Sequence, residues 1–237
     1  ALQETIAKTL EALQLALGDH LAAVYAYGSS FGRSPQGPRQ LLLVLSDTIN
    51  RRLLDELAPV MDRARVAGVG LRLDTPEGLV RGADAFPVFA LELSATSELL
   101  WGKDVLQNLD VDGGRLRLRL EQSLRVLHRD LVHGYLDKGG KPQHLAATLR
   151  AAAHRLIYLF EATLVAFQIE LPATKSPRSI IEALCRDVAT PKDAETWEQL
   201  RALAAYEVVL DEEPLAALYD QVLRALGSVI EVVDRME

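Results

Sequence analysis

The residues of this chain best suited to chemistry form a small polar turn, Gly28, Ser29 and Ser30, with Arg33 just beyond it. The turn follows an apolar run over 24–27 that is typical of a buried strand. Glycine lets a ligand approach the backbone, and the N–H groups and hydroxyls of such a turn can bind phosphate. A nearby arginine can pair with the same anion. The turn is therefore a candidate phosphate site, and a plain turn beside a solvated arginine is the alternative.

Helices and strands alternate through the first part of the chain, and these elements must position the turn. The spacing of apolar residues predicts helices over 2–17 and 49–67 and a third that begins near Thr75. Strands are predicted over 22–27, 40–46, 69–73 and 86–93. The candidate turn would then lie between the first two strands.

From Arg115 onward the sequence shows only helical periodicity. Helices are predicted over 115–137, 142–170, 176–188, 193–208 and 213–236. The change in character near Asp112 predicts one domain over 1–112 and a second over 113–237. The predicted fold class is α+β: an α/β domain with a small mixed sheet, followed by an all-helical bundle domain.

Four parts of the first domain resemble one protein family, and they lie at 27–33, 41–47, 75–77 with 83–87, and 99–104. On these segments the chain resembles bacterial proteins that join a polymerase-β-like nucleotidyltransferase domain to a helical bundle. In that fold the Gly-Ser turn meets the triphosphate of the nucleotide. The resemblance implies a nucleotide-binding or phosphate-binding site at Gly28, Ser29, Ser30 and Arg33.

An active member of that family holds two magnesium ions, and a D-x-D pair at the start of the second strand supplies two of the carboxylates. In this chain the pair falls at Pro38 and Gln40, and neither side chain carries a negative charge. A shift of one residue offers only Arg39 and Leu41, and Arg39 would repel a metal ion. The resemblance therefore implies a fold that has lost its metal-binding pair.

The third carboxylate of an active member comes from an adjacent strand. Its place falls in the predicted strand over 86–93, where Glu92 is the candidate residual acid. Glu92 has an alternative role, facing solvent or pairing with Arg72. Asp47 lies seven residues beyond Gln40, which is roughly 23 Å along an extended strand and too far to replace the missing pair.

These residues predict a catalytically degenerate nucleotidyltransferase homologue, which binds a nucleotide or a protein partner and has no catalytic residues. It would need no cofactor. A first alternative is an active transferase of nucleotidyl groups to a small molecule or protein, with Mg²⁺ held by Asp47, Asp74, Asp84 and Glu92. A second is an interaction module that binds a protein partner or forms a homodimer through the helical bundle.

Composition narrows the classes of partner. The net charge of −7 and the pI near 5.3 argue against nucleic acid as the main partner. The single cysteine, Cys185, excludes an internal disulfide and is predicted to be a buried structural thiol. No apolar run reaches the length that spans a bilayer and no signal segment is evident, so we expect a cytoplasmic protein without a membrane partner.

Overall fold

The structure is a computed structural model, and it describes residues 2–27, 39–46, 48–109, 113–139, 141–174, 176–188 and 191–236. In the first part of the chain the elements are α1 (Leu2–Leu17), β1 (Leu21–Tyr27), β2 (Arg39–Leu45), α2 (Arg51–Val66), β3 (Val69–Asp74), α3 (Pro76–Gly82), α4 (Pro87–Thr96) and β4 (Glu98–Gly102). In the second part they are α5 (Gly113–Asp137), α6 (Pro142–Ala166), α7 (Pro177–Asp187), α8 (Ala194–Ala204) and α9 (Glu212–Asp234).

The four strands form one mixed sheet in the order β3-β2-β1-β4. β1 is antiparallel to both β2 and β4, and β2 is parallel to β3. The register pairs Tyr27 at the end of β1 with Gln40 at the start of β2, and it pairs Leu42 of β2 with Arg72 of β3. The small mixed sheet predicted from the sequence is confirmed.

Helices cover both faces of the sheet, because alternate residues of its central strands point to opposite sides. On one face, Val24 and Leu43 pack with Leu57 of α2 and residues of α1. The other face carries Ala23, Tyr25, Leu42 and Val44, packed with Leu79 of α3 and Leu93 of α4. We call this second side the α4 face.

The second part of the chain is a bundle of helices. α6 packs against α5, α7, α8 and α9, and its Phe160 meets the buried ring of Trp197 edge-on, with the ring centroids 5.0 Å apart. Contacts divide the described residues into two compact units, 2–27 with 39–109 and then 113–236. The α+β fold class is confirmed. The domain boundary at residue 112 stays a prediction, because residues 110–112 lie outside the described residues.

The predicted strand over 86–93 is wrong, since this segment lies in helix α4. Pro87 occupies the first turn, where the N–H that proline lacks has no partner within a helix. Val88, Ala90 and Leu93 are all buried, so apolar residues lie on more than one side of the helix and conceal its period. The fourth strand is β4, which overlaps the segment over 99–104 where the family resemblance implied a turn.

Among the helices in the described ranges, none combines the length and the apolar character needed to cross a membrane.

Candidate functional site

The residues of the candidate turn, Gly28, Ser29, Ser30 and Arg33, lie outside the described residues, as do Pro38 and Asp47. Gly28 directly follows Tyr27 in the chain, and Pro38 precedes β2 by one residue. Tyr27 and Gln40 pair across β1 and β2, so the end of β1 and the start of β2 lie together at one end of these central strands. We call this end of the strands the sheet edge. The described residues at this edge are therefore the ones nearest in sequence to the predicted phosphate site.

Gln40, Gly70 and Arg72 stand side by side on the α4 face. Gln40 pairs with Gly70 and Leu42 with Arg72, and alternation along parallel strands puts all four on the same side. A β-carbon built on Gly70 would lie 2.6 Å from Nε2 and 2.7 Å from Cδ of Gln40, so the Gln40 side chain lies across the glycine. Gln40 occupies an expected acid position, and it offers a neutral amide there.

Arg72 belongs to a cluster that also contains Tyr27, Phe89 and Glu92, which we call the Arg72 cluster. The guanidinium carbon of Arg72 lies 4.2 Å from the centroid of the Phe89 ring. The same ring meets Tyr27 edge-on at 5.8 Å. Stacking on an aromatic ring holds an arginine in place and leaves the N–H groups at its rim directed outward. The Arg72 side chain is exposed, so it can contact a ligand from solvent.

The charged groups of this cluster influence the pKa of the Tyr27 hydroxyl. Burial is the largest influence and raises the pKa of Tyr27 above its ordinary value. The positive charge and a hydrogen bond of Arg72 lower that pKa, while the negative charge of Glu92 raises it. The net pKa is raised, so Tyr27 stays a neutral phenol at physiological pH. The cluster thus brings one cation, one carboxylate and one neutral hydroxyl together.

Glu92 lies on α4 and not on a strand, so the sequence prediction placed it on the wrong kind of element. β3 is one of the two strands that pair with β2, and its residue beside Leu42 on the α4 face is Arg72. Glu92, the residue expected to supply the third carboxylate, thus lies on α4, and strand β3 carries the cation Arg72. Sequence reasoning considered Arg72 only as a partner of Glu92 and missed it as a site residue.

The other acids proposed for an active enzyme have separate positions. Asp74 ends β3, where its Oδ1 accepts the N–H of Thr75 at 2.8 Å and so shapes the start of α3. Asp84 is exposed in the turn that follows α3. Within the described ranges, no three Asp, Glu, His or Cys side chains converge on a point where a metal ion could be held. The described residues at this edge do not fit a divalent-metal site, because Gln40 is neutral and Arg72 is positive.

A hydrogen-bonded group behind the site fixes β1 to the segment after β4. The hydroxyl of buried Tyr25 donates to Oδ1 of Asp104 at 2.9 Å and accepts the N–H of Val105 at 2.6 Å. Asp104 also accepts the N–H of Leu106 at 3.0 Å. This arrangement gives a physical reason for the family-like segment over 99–104, because Asp104 holds the strand that leads to the candidate turn.

No model of a protein family and no curated protein matches the chain. The solved structures that are similar to it include spectinomycin adenyltransferase AAD(9) from Enterococcus faecialis with ATP and spectinomycin. The TM-score is 0.60 and the sequence identity 14%, over 95% of this chain and 99% of that one. The chain has a nucleotidyltransferase-like fold. At this identity the likeness shows the fold alone.

A second similar structure is the tri-AMPylated Shewanella oneidensis HEPN toxin in complex with MNT antitoxin. Its sequence is 20% identical, and the match covers 43% of this chain and 72% of that one, with a TM-score of 0.29. A TM-score this low carries no argument about fold or function.

Proposed function

We propose that this chain is a catalytically degenerate nucleotidyltransferase homologue, which binds a nucleotide or another phosphate-bearing ligand without transferring a nucleotidyl group. The proposed ligand site is the turn of Gly28, Ser29 and Ser30 with Arg33, a segment that follows Tyr27 in the chain. The nucleotidyltransferase-like fold supports a nucleotide-related function. The similar adenyltransferase was crystallised with ATP, which makes a nucleoside triphosphate the first ligand to test.

The observation that carries this proposal is the charge on the two neighbouring strands. Catalysis by two metal ions needs convergent carboxylates, which hold the cations that stabilise the attacking and leaving oxygens. Here the α4 face of β2 and β3 carries Gln40, Gly70 and Arg72 toward the start of the two strands, and Asp74 lies at the far end of β3. Arg72 would repel a divalent cation and attract the phosphates of a ligand. We therefore propose that the site binds the phosphates of a ligand but does not support metal-dependent nucleotidyl transfer.

Glu92 has a different role in this account from that of a metal ligand. Its charge acts on Tyr27 together with that of Arg72, so it belongs to the electrostatic balance of the Arg72 cluster. A carboxylate in that position offsets the positive charge of Arg72 and so weakens the attraction of the cluster for an anion.

The test is a thermal-shift titration of the wild-type protein with ATP, GTP, CTP and UTP, each with and without Mg²⁺. A ligand that binds only the folded state stabilises it by about 2.7 kcal/mol at a hundredfold excess over Kd. This stabilisation raises the unfolding midpoint. We expect at least one nucleotide to raise the midpoint and none to yield pyrophosphate. An unchanged midpoint with all four nucleotides would remove the binding proposal. Mg²⁺-dependent release of pyrophosphate would instead support the active transferase with non-standard metal ligands.

A further inference from the structure

The position of Arg72 relative to the expected acids is fixed by backbone pairing. β2 and β3 run parallel in register, with Gln40 beside Gly70 and Leu42 beside Arg72. Two residues along a strand span about 7 Å, so the Arg72 side chain begins about this distance along β3 from Gly70, the residue paired with Gln40. Arg72 thus lies two residues along β3 from the partner of Gln40, and Gln40 holds a position where the resemblance expects a carboxylate.

The Arg72 side chain is held in a way that suits a ligand-binding group. Its guanidinium stacks on Phe89, and it hydrogen-bonds to Tyr27, which itself packs edge-on against Phe89. A guanidinium that is ordered in advance loses less rotamer freedom when a ligand binds. Its planar rim of N–H donors matches two oxygens of a phosphate group.

We infer that Arg72 takes the place of a divalent metal ion at this site, so that it binds the polyphosphate of a nucleotide directly and binding is independent of Mg²⁺. The inference rests on the proposed function and adds the chemistry by which the ligand is held. A bound metal ion and a fixed guanidinium both neutralise phosphate charge. Only the metal ion requires carboxylates to retain it, and a guanidinium works without them.

The first experiment uses the wild-type protein and needs no variant. Isothermal titration with ATP, GTP, CTP and UTP is carried out once in EDTA and once in Mg²⁺. Because the fixed cation acts on the free polyphosphate, the dissociation constant in EDTA is expected to be no larger than that in Mg²⁺. A dissociation constant that is larger in EDTA means that the metal ion contributes to binding, and this result overturns the inference while the binding proposal survives. No binding in either condition removes both.

The second experiment compares two variants that each remove one positive charge. Arg72→Gln changes the proposed ligand, and Arg65→Gln changes an exposed arginine of α2, whose buried side packs on the opposite face of the sheet. Arg72→Gln is expected to weaken nucleotide binding in EDTA by about ten- to hundredfold, which is the loss of a charge-assisted hydrogen bond to phosphate. Arg65→Gln is expected to leave the affinity nearly unchanged. Equal loss in both variants would show a general effect of charge and would contradict the role of Arg72.

A third variant, Arg72→Lys, keeps the charge and removes the planar donor group. It is expected to bind nucleotide with an affinity between those of wild type and Arg72→Gln, because an ammonium neutralises phosphate but cannot bind two oxygens in parallel or stack on Phe89 as well. An Arg72→Lys protein that binds no better than Arg72→Gln would show that charge at this position makes no contribution, and it would also contradict the inference.

Discussion

The side chain of Gln40 lies across the α-carbon of Gly70 on the neighbouring parallel strand. A β-carbon at Gly70 would lie within 2.7 Å of three atoms of the Gln40 amide group. A side chain at Gly70 would require the Gln40 amide to move, and the amide fills this space at a position where the resemblance to nucleotidyltransferases expects a carboxylate. The pair shows how the sheet edge beside the candidate turn is packed around a neutral side chain, with Arg72 as its nearest charged neighbour along β3.

Gly102 and Gly68 of the first unit should differ in how much stability is lost when each is replaced by alanine. Gly102 has φ +90°, and a β-carbon there would overlap the carbonyl oxygen of Ala22 and lie 2.8 Å from Cα of Ala23. Gly68 has φ +77° and open space around it. Gly102→Ala is expected to cost more than about 3 kcal/mol of stability, because backbone overlap adds to the strain of positive φ, whereas Gly68→Ala costs about 1–2 kcal/mol. Thermal unfolding of both variants measures the difference, and equal losses would contradict this account of β4 packing on β1.

The sequence predicted most elements of the fold because their signals are local. Asn50 and Thr75 are N-caps whose side chains accept the N–H groups of Leu53 and Gly78, as expected from their residue types. Helices α5 and α9 of the bundle have one buried stripe each, so their period was visible in the sequence. The error over 86–93 has a physical cause: α4 is apolar on several sides, and a short apolar run does not distinguish a buried helix from a buried strand. Pro87 and the helix-forming residues after it were the available signal.

The candidate site could be predicted only in part. The turn at Gly28 was proposed from its residue types and stays a prediction, and Arg72 was missed as a candidate site residue. Its importance comes from the parallel pairing of β3 with β2, which joins residues far apart in sequence and is not encoded in either segment alone. In the sequence, the alternation of β3 puts Gly70, Arg72 and Asp74 on one side of the strand. This pattern points to a site only together with the structural finding that α4 covers that side.

The hydroxyl of Tyr25 is expected to hold β1 and the segment after β4 together. Tyr25→Phe removes an acceptor for the N–H of Val105 and a donor to Asp104, and we expect a loss of about 1–2 kcal/mol. Hydrogen exchange at the amide of Val105 should become faster in this variant. Tyr135→Phe changes a tyrosine of the second unit that is 38% exposed, and it serves as the control with little effect. Unchanged exchange at Val105 would show that the hydrogen bond contributes nothing.

Cys185 is expected to be unreactive in the folded protein. Burial, with a smaller contribution from the charge of Asp193, raises the pKa of its thiol to about 11, and its side chain is 5% exposed. Since the thiolate is the reactive form, labelling by a thiol reagent at pH 8 should be slow in the native protein and fast after unfolding. Raising the pH toward 10 should accelerate native labelling. Rapid labelling at pH 8 without unfolding would contradict a buried structural thiol.

Glu92 distinguishes a binding protein from a metal enzyme. If Arg72 holds the phosphates, Glu92→Gln removes a nearby negative charge and should tighten nucleotide binding in EDTA by up to about fivefold, since such a charge contributes about 1 kcal/mol or less. The control is Glu56→Gln, on the exposed side of α2, which should leave the affinity unchanged. Titration calorimetry measures both variants. If Glu92 were a metal ligand, Glu92→Gln would instead weaken binding in Mg²⁺.

The central claim is that the site binds nucleotide through fixed positive charge and does not transfer it. The most direct measurement follows one sample of wild-type protein with each nucleoside triphosphate, first by calorimetry in EDTA and then by pyrophosphate release after excess Mg²⁺ is added. We predict saturable binding in EDTA with at least one nucleotide and no pyrophosphate with any of them. Binding that appears only with Mg²⁺, accompanied by release of pyrophosphate, would contradict the account.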